Sequence, residues 1–505
     1  MKLDWLPGRS YLRWFVPLLL LTMAFALASP LWGPPDEPSQ LLQAAAVVRG
    51  ELLGPSVSYG LGYPDQNMVG TQVRVPAELA DNAPHPFPCF FLNPDETAGC
   101  AYPPVPESGD VTTTTYQGRY PPLYYFLVGW PTYLPSVRAA VYGIRLLSAA
   151  LVSVLLAGAF YLAAASRRRP LLLAAVAVSA TPEAMFMAGA VNPSGLEIAA
   201  AICAWTAGLV YVFDAPERRR ASLHWLGASM VILMLTRPLG PALVLAIVAT
   251  LFLLAGSALR QRLHDPLLLR WAGALAVSLV CALGWIAVAQ PFATASLLHD
   301  YPLAAGTSLG SLLLVSVGHL GDQFTEIVGQ TGWNVRLLPI AIYWLELAIL
   351  GFFLTIALGA RPIRGRLAVG GLLAASILLP VIANATQATT LGLVWEGRYV
   401  LPLAAGILVV AAYLGSTEPG GEPLLRRCAV PILVAAGAIQ VVAVYAELRR
   451  FMVGDAGSLL LRHPGWSPPL PALLLILAGL VAEVFLVRAA IASLRPAPEG
   501  EPRLS

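Results

Sequence analysis

The sequence predicts an all-α fold, a polytopic transmembrane helix bundle of about 12 spans, and three observations predict it. The chain has 505 residues, of which 57% are hydrophobic and only 12% charged, with a mean hydropathy of +0.70. That lies far from the roughly 25% charged content of soluble domains. Apolar runs near the length needed to cross a hydrocarbon core of about 30 Å recur along the whole chain. Arginine clusters fall after alternate runs, as the positive-inside bias requires. Helices follow because lipid offers backbone groups no hydrogen-bond partner. The formal net charge of +3 is too small to imply a nucleic-acid partner.

The elements follow in order. Lys2, Arg9 and Arg13 precede the apolar run Trp14 to Leu31, so that end is placed in the cytoplasm. Ala26-Leu27-Ala28 resembles a cleavage site, but the run exceeds the usual 7 to 15 residues (roughly) of a signal peptide and is read as a retained anchor. The next helix, 139–165, returns the chain to Arg167, Arg168 and Arg169. Further spans are expected at 171–188, 195–213, 223–236, 238–256, 268–289, 337–359, 367–384, 399–415, 428–446 and 470–488. Both termini are then cytoplasmic, and 1–505 forms a single transmembrane domain in the plasma membrane.

Three segments on the outer side are too long to be simple connectors: the first extracytoplasmic loop, 32–138, and the loops 291–336 and 447–469. Within the first, Tyr120-Pro121-Pro122-Leu123-Tyr124-Tyr125-Phe126 leads into a short apolar run ending at Pro135. A span there would invert the arginine bias of every later loop, so the run reads as an interfacial helix. Cys89 and Cys100 share this loop, and an oxidising compartment would permit a disulfide between them or leave two free thiols. No His/Cys grouping has zinc-site spacing.

Chemistry-bearing residues concentrate on the same side. Gly33-Pro34-Pro35-Asp36-Glu37-Pro38-Ser39-Gln40 puts two adjacent carboxylates at the start of an interfacial helix that runs to Gly50. One reading makes Asp36 an N-cap and Glu37 a first-turn charge. The other makes them a base for an acceptor hydroxyl, or ligands of a divalent cation such as Mg or Mn. Arg237 in Leu235-Thr236-Arg237-Pro238, Arg336 after Gly332-Trp333-Asn334, and Arg398 before Tyr399 all interrupt apolar sequence near the outer leaflet. Singly, each reads as headgroup contact or snorkelling. Together they supply guanidinium forks suited to a phosphate.

Glu346 and Glu483 fall inside expected spans, either as buried hydrogen-bonding groups or as proton-coupling groups of a transporter. Glu183, Asn192 and Glu197 read as solvated residues about a short loop. Asn384-Ala385-Thr386 matches a glycosylation triplet and carries no weight. No P-loop, dinucleotide fingerprint, HExxH or nucleophile elbow is present.

Pro35-Asp36-Glu37-Pro38, just outside the first helix, resembles a family of bacterial multi-pass membrane proteins of unknown function grouped with the GT-C glycosyltransferase superfamily. Thr236-Arg237-Pro238, Gly329 to Trp333, Glu396-Gly397-Arg398-Tyr399-Val400-Leu401-Pro402 and Trp466-Ser467-Pro468-Pro469 match in the same order. The resemblance implies a GT-C-like bundle that transfers sugar from a polyprenyl-phosphate donor, with inversion, to a saccharide or cell-envelope acceptor. It makes Asp36 the general base and gives Glu37 an assisting or metal-binding role. Arg237 and Arg398 then hold the departing lipid phosphate, with Arg336, Tyr399, Gln40 and Trp333 as further substrate contacts. That family often places a histidine two residues after the proline, where this chain has Gln40. The rival readings are a transporter or flippase of a lipid-linked saccharide, and a non-catalytic membrane subunit of an envelope-assembly complex.

Overall fold

A computed structural model describes residues 8–60, 67–84, 88–214, 216–256, 265–294, 306–330, 338–359, 363–389, 392–393, 395–415 and 422–494. In chain order the elements are α1 (Arg9–Ala28), α2 (Glu37–Val48), β1 (Ser56–Gly60), β2 (Asn67–Pro76), α3 (Ala77–Ala80), β3 (Asp110–Thr115), α4 (Leu123–Val128), α5 (Val137–Ala165), α6 (Arg169–Ser179), α7 (Pro182–Ala188), α8 (Pro193–Phe213), α9 (Arg219–Thr236) and α10 (Gly240–Ala255). There follow α11 (Pro266–Ala289), α12 (Leu309–Gly318), α13 (Leu320–Val328), α14 (Ile340–Gly359), α15 (Ile363–Gln387), α16 (Gly397–Gly415), α17 (Glu422–Met452) and α18 (Ala472–Ser493).

Among the described residues, nine helices are long and apolar enough to cross a membrane, or ten if α6 and α7 form one bent span. The expected twelve are reached only if α9 and α10 also cross. At 16 residues, α10 spans about 24 Å, short of a full hydrocarbon core. The break inside the expected span 171–188 has a local cause: Pro182 disfavours helical geometry at Thr181, and the two halves diverge by 62°. Thr181 then caps α7 through Ala184 N. α1, α15, α16 and α17 each contain a proline, which membrane helices tolerate where neighbouring groups can meet the freed backbone carbonyl.

The bundle has a packed centre and a lipid-facing edge. Of α8's apolar window, 94% is buried, against 17% for α11, so α8 is the axis and α11 an outer wall. Glycines set close helix approaches: a Cβ on Gly406 would sit 2.5 Å from Trp205 Cε2, and one on Gly227 2.1 Å from Trp271 Cδ2.

Two segments expected on the outer side differ from expectation. The first loop carries a three-stranded antiparallel sheet, ordered β1-β2-β3, where only helices and loop were expected. Its sequence is β-branched and alternates, with Val73 and Val75 buried on either side of exposed Arg74. The segment expected as the loop 447–469 begins inside α17, which continues to Met452 because Arg450 is drawn inward. Its guanidinium donates to the carbonyls of Phe90, Asn93 and Glu96, a turn closed by the Cys89–Cys100 disulfide.

Candidate functional site

The site grows from the turn between α1 and α2. Two non-glycine residues there, Trp32 (φ 67°) and Asp36 (φ 64°), adopt left-handed backbone conformations, each at a cost of roughly 1–2 kcal/mol. A buried ion pair offsets that strain. Glu37 is fully buried and accepts from Arg145 through both oxygens, Nε to Oε1 at 2.7 Å. The same guanidinium donates to the carbonyls of Ala26, Ser29 and Pro30. Trp32 N also donates to Glu37 Oε2, at 2.9 Å.

Asp36 occupies the N-cap position of α2, yet its side chain makes no capping bond. Its carboxylate points elsewhere: Oδ1 accepts from the Tyr116 hydroxyl at 3.1 Å, and Oδ2 from Arg398 Nη2 at 3.0 Å. Tyr116 is positioned by Ser39, whose Oγ accepts from Tyr116 N while its carbonyl accepts from Thr115 Oγ1. One turn into α2, Gln40 Oε1 accepts from the Tyr125 hydroxyl. Burial, aided by Tyr120 and Tyr124, pushes the Tyr125 phenol well above its ordinary pKa, so it remains a donor.

Arg398 lies on the first turn of α16, 2% exposed. It pairs with Asp36 and with Glu396, but its Nε and Nη1 are buried without a hydrogen-bond partner. Arg237, on the turn between α9 and α10, stacks on the Tyr399 ring with 4.4 Å to the centroid, and Arg398 flanks that ring at 5.3 Å. Arg237 Nη1 donates to Ser194 Oγ at 3.1 Å and to Glu197 Oε2 at 3.2 Å, and Nη2 to the Tyr120 hydroxyl at 3.4 Å. Burial by itself would lower its pKa, but the Glu197 carboxylate and the Tyr120 and Tyr399 phenols keep it raised and charged. Asp36, Arg398 and Arg237, all buried, and the half-buried Tyr399 thus form one contiguous cluster, assembled from three separate parts of the chain.

Several expectations need correction. Glu37 does not share the Asp36 site, because both its oxygens are consumed by Arg145. The two carboxylates therefore do not fit a joint cation site, and the described residues contain no group of three His, Cys, Asp or Glu that could hold a metal. Asp36 is not the side-chain N-cap of the alternative reading. Glu183, Asn192 and Glu197 are buried, not solvated. Asn192 Nδ2 donates to the Pro35 carbonyl, fastening the start of α8 beneath the Asp36 turn. Arg336 and Trp333 lie outside the described residues.

Arg145, Tyr116, Tyr120 and Ser39 were given no role from the sequence, and Glu197 was read only as a solvated loop residue. Arg145 had a usable signal, since an arginine inside a long apolar helix needs a buried partner. Tyr116 had none, because its role depends on strand register.

These features define a multi-pass membrane protein with a charged, aromatic-lined cluster at the bundle end that carries its first long loop. The chain belongs to the family described as predicted membrane protein (DUF2142), whose profile matches residues 19–407. No curated protein matches it. Among solved structures it is similar to that of ArnT from Cupriavidus metallidurans bound to undecaprenyl phosphate. The identity is 14% and the TM-score 0.40, over 95% of this chain and 76% of that one.

Proposed function

We propose that this protein is a membrane glycosyltransferase of GT-C type, transferring a sugar from a polyprenyl-phosphate donor to a saccharide or other envelope acceptor outside the cytoplasmic membrane. The observation that carries the reading is the Asp36–Arg398 pair: a buried carboxylate held against a guanidinium with two buried, unpartnered N–H-bearing nitrogens. Donors left unpaired in a buried site are costly unless a ligand meets them. A phosphate oxygen suits that fork.

In the reaction, the acceptor hydroxyl attacks the anomeric carbon from the face opposite the phosphate. Its oxygen bonds to that carbon as the carbon–oxygen bond to the lipid phosphate breaks, inverting the centre. Asp36 takes the hydroxyl proton, and the leaving phosphate keeps the bonding pair. Arg398, with Arg237 across the Tyr399 ring, stabilises the charge that develops there. The arginine bias of the loops puts this end of the bundle outside and both termini in the cytoplasm.

A transporter is the second reading, and the break between α6 and α7 favours it, since broken helices mark transport sites. Against it, Glu346 and Glu483 line two separate cavities with no residue in common, so they do not mark one path.

The test supplies membranes carrying the protein with a panel of radiolabelled polyprenyl-phosphate sugars. Wild type should transfer label from one donor, and Asp36→Asn should lower the rate by about 100-fold or more, the range for a general base. Equal transfer by both removes Asp36 as the base. Label that crosses sealed vesicles without being transferred supports the transporter.

A further inference from the structure

A cavity of about 300 Å³ lies beside this cluster, enclosed by the α6 end, α13, α14, α15 and α16. Leu401, one turn along α16 from Arg398, lines it, together with Leu350 and Leu373. Its volume falls at the lower end of the range for small-molecule sites, about 300 to 1,000 Å³. The wall is overwhelmingly aliphatic, but five polar residues interrupt it: Thr181 accepts from Ala184 N and Gln323 donates to the Trp395 carbonyl, whereas the other three have no such partner. Glu346 projects from α14, 7% exposed, and makes no hydrogen bond or ion pair with any described residue. Ser179 and Ser376 line the same space, and their Oγ atoms are buried without partners just behind it, within reach of it by rotation about χ1.

A dry aliphatic cavity needs no such groups, and a carboxyl in hydrocarbon without a partner is expensive. A helix interior usually satisfies serine through its own i−4 carbonyl, as Ser278 and Ser316 do here. Three unsatisfied polar groups around one apolar space, with no cation among the described residues lining it, describe half of an interaction. The missing half is a hydrogen-bond donor carried on a hydrocarbon chain.

We infer that this chamber is a binding site for a single-chain amphiphile whose polar group donates hydrogen bonds, an ammonium or a hydroxyl, with Glu346 as the acceptor and Ser179 and Ser376 completing its shell. The chain would lie against Leu350, Leu373 and Leu401. The inference does not need Asp36 or Arg398 to be catalytic, and it stands if the transferase reading fails. An ammonium would form an ion pair with Glu346, and a hydroxyl a neutral hydrogen bond, so the two are separable.

The test uses full-length protein in lipid nanodiscs and a dodecylamine bearing a photoreactive diazirine on its chain, with crosslinks mapped by mass spectrometry. Crosslinks should concentrate on the chamber wall and be competed by unlabelled dodecylamine or 1-dodecanol, but not by dodecyl methyl ether, which lacks the donor. Glu346→Leu should weaken labelling by about tenfold, the factor that 1.4 kcal/mol represents. Glu483→Leu, in the other cavity, should leave it unchanged. Glu346→Gln keeps an acceptor: if it retains labelling by a diazirine-bearing dodecanol while losing that by the amine probe, the donor is read directly. Labelling spread evenly over the lipid-facing helices, equal competition by the ether, or equal loss in both leucine variants overturns the proposal.

Discussion

Replacing Glu37 with glutamine should destabilise the protein far more than replacing its neighbour Asp36 with asparagine. Both Glu37 and Arg145 are wholly buried, and Arg145 spends its remaining donors on three carbonyls at the end of α1. Glu37→Gln therefore leaves a buried guanidinium with no counter-charge nearby except Glu447, which acts on it more weakly. Breaking a buried pair from one side costs about 3–5 kcal/mol. Glutamine keeps the volume and one acceptor, so the lower end, about 3 kcal/mol, is expected. Asp36→Asn leaves Arg398 paired with Glu396, and its cost should be less than about half as large.

Arg145→Met with Glu37→Leu should not restore stability, although such double replacements often do. Here the Ala26 carbonyl and the Trp32 N–H would lose the partner the pair supplies, while the carbonyls of Ser29 and Pro30 would fall back on the Tyr142 hydroxyl and Gly33 N. Reversible denaturant unfolding in a defined mixed micelle, followed by tryptophan fluorescence, measures the cycle. A Glu37→Gln protein within about 0.5 kcal/mol of wild type, the range of an unremarkable surface change, would refute the clamp.

Cys89→Ser should cost about 3 kcal/mol, because the disulfide closes a loop of 11 residues' separation, and limited proteolysis should then cut within 88–100. Gly227→Ala should cost about 1–3 kcal/mol by overpacking, since its Cβ would collide with the Trp271 ring that joins α9 to α11; normal unfolding would mean that α11 is free to shift. Leu92→Gly should be neutral or stabilising by up to about 1 kcal/mol, because Leu92 is 63% exposed at φ 52° and glycine relieves that strain. Tyr116→Phe should slow transfer by about tenfold with little loss of stability, since one net hydrogen bond is worth about 1 kcal/mol; an unchanged rate would mean Tyr116 does not orient Asp36.

The transmembrane plan was legible because hydrocarbon imposes one rule on every span. The helices from 139, 195, 268, 337, 367 and 399 were expected within a few residues of where they lie. What failed was local. The expected span 171–188 hid a 62° break, since apolar content does not register the geometry that Thr181-Pro182 imposes. The sheet between Ser56 and Thr115 went unseen because β1 and β3 are short and the three strands are separated by loop sequence. Arg237 and Arg398 could be picked out as charges in apolar surroundings, but Arg237's partners Glu197 and Tyr120 could not, for pairing across 40 and 117 residues is a property of the packed bundle.

The sharpest division lies between Asp36 and Glu37, which the sequence presents as a matched pair. In a regular helix, successive side chains differ in direction by about 100°, as 3.6 residues per turn requires. The left-handed conformation at Asp36 breaks that relation. Glu37 enters the core as the first residue of α2, while the Asp36 carboxylate is carried to the opposite side, onto Arg398 and Tyr116. The strain at Asp36 and the burial of Glu37 are therefore one arrangement: Arg145 holds Glu37 inward, and holding it inward turns Asp36 toward the site. A chain with glycine at position 36 would adopt the turn more easily and would have no carboxylate there to aim.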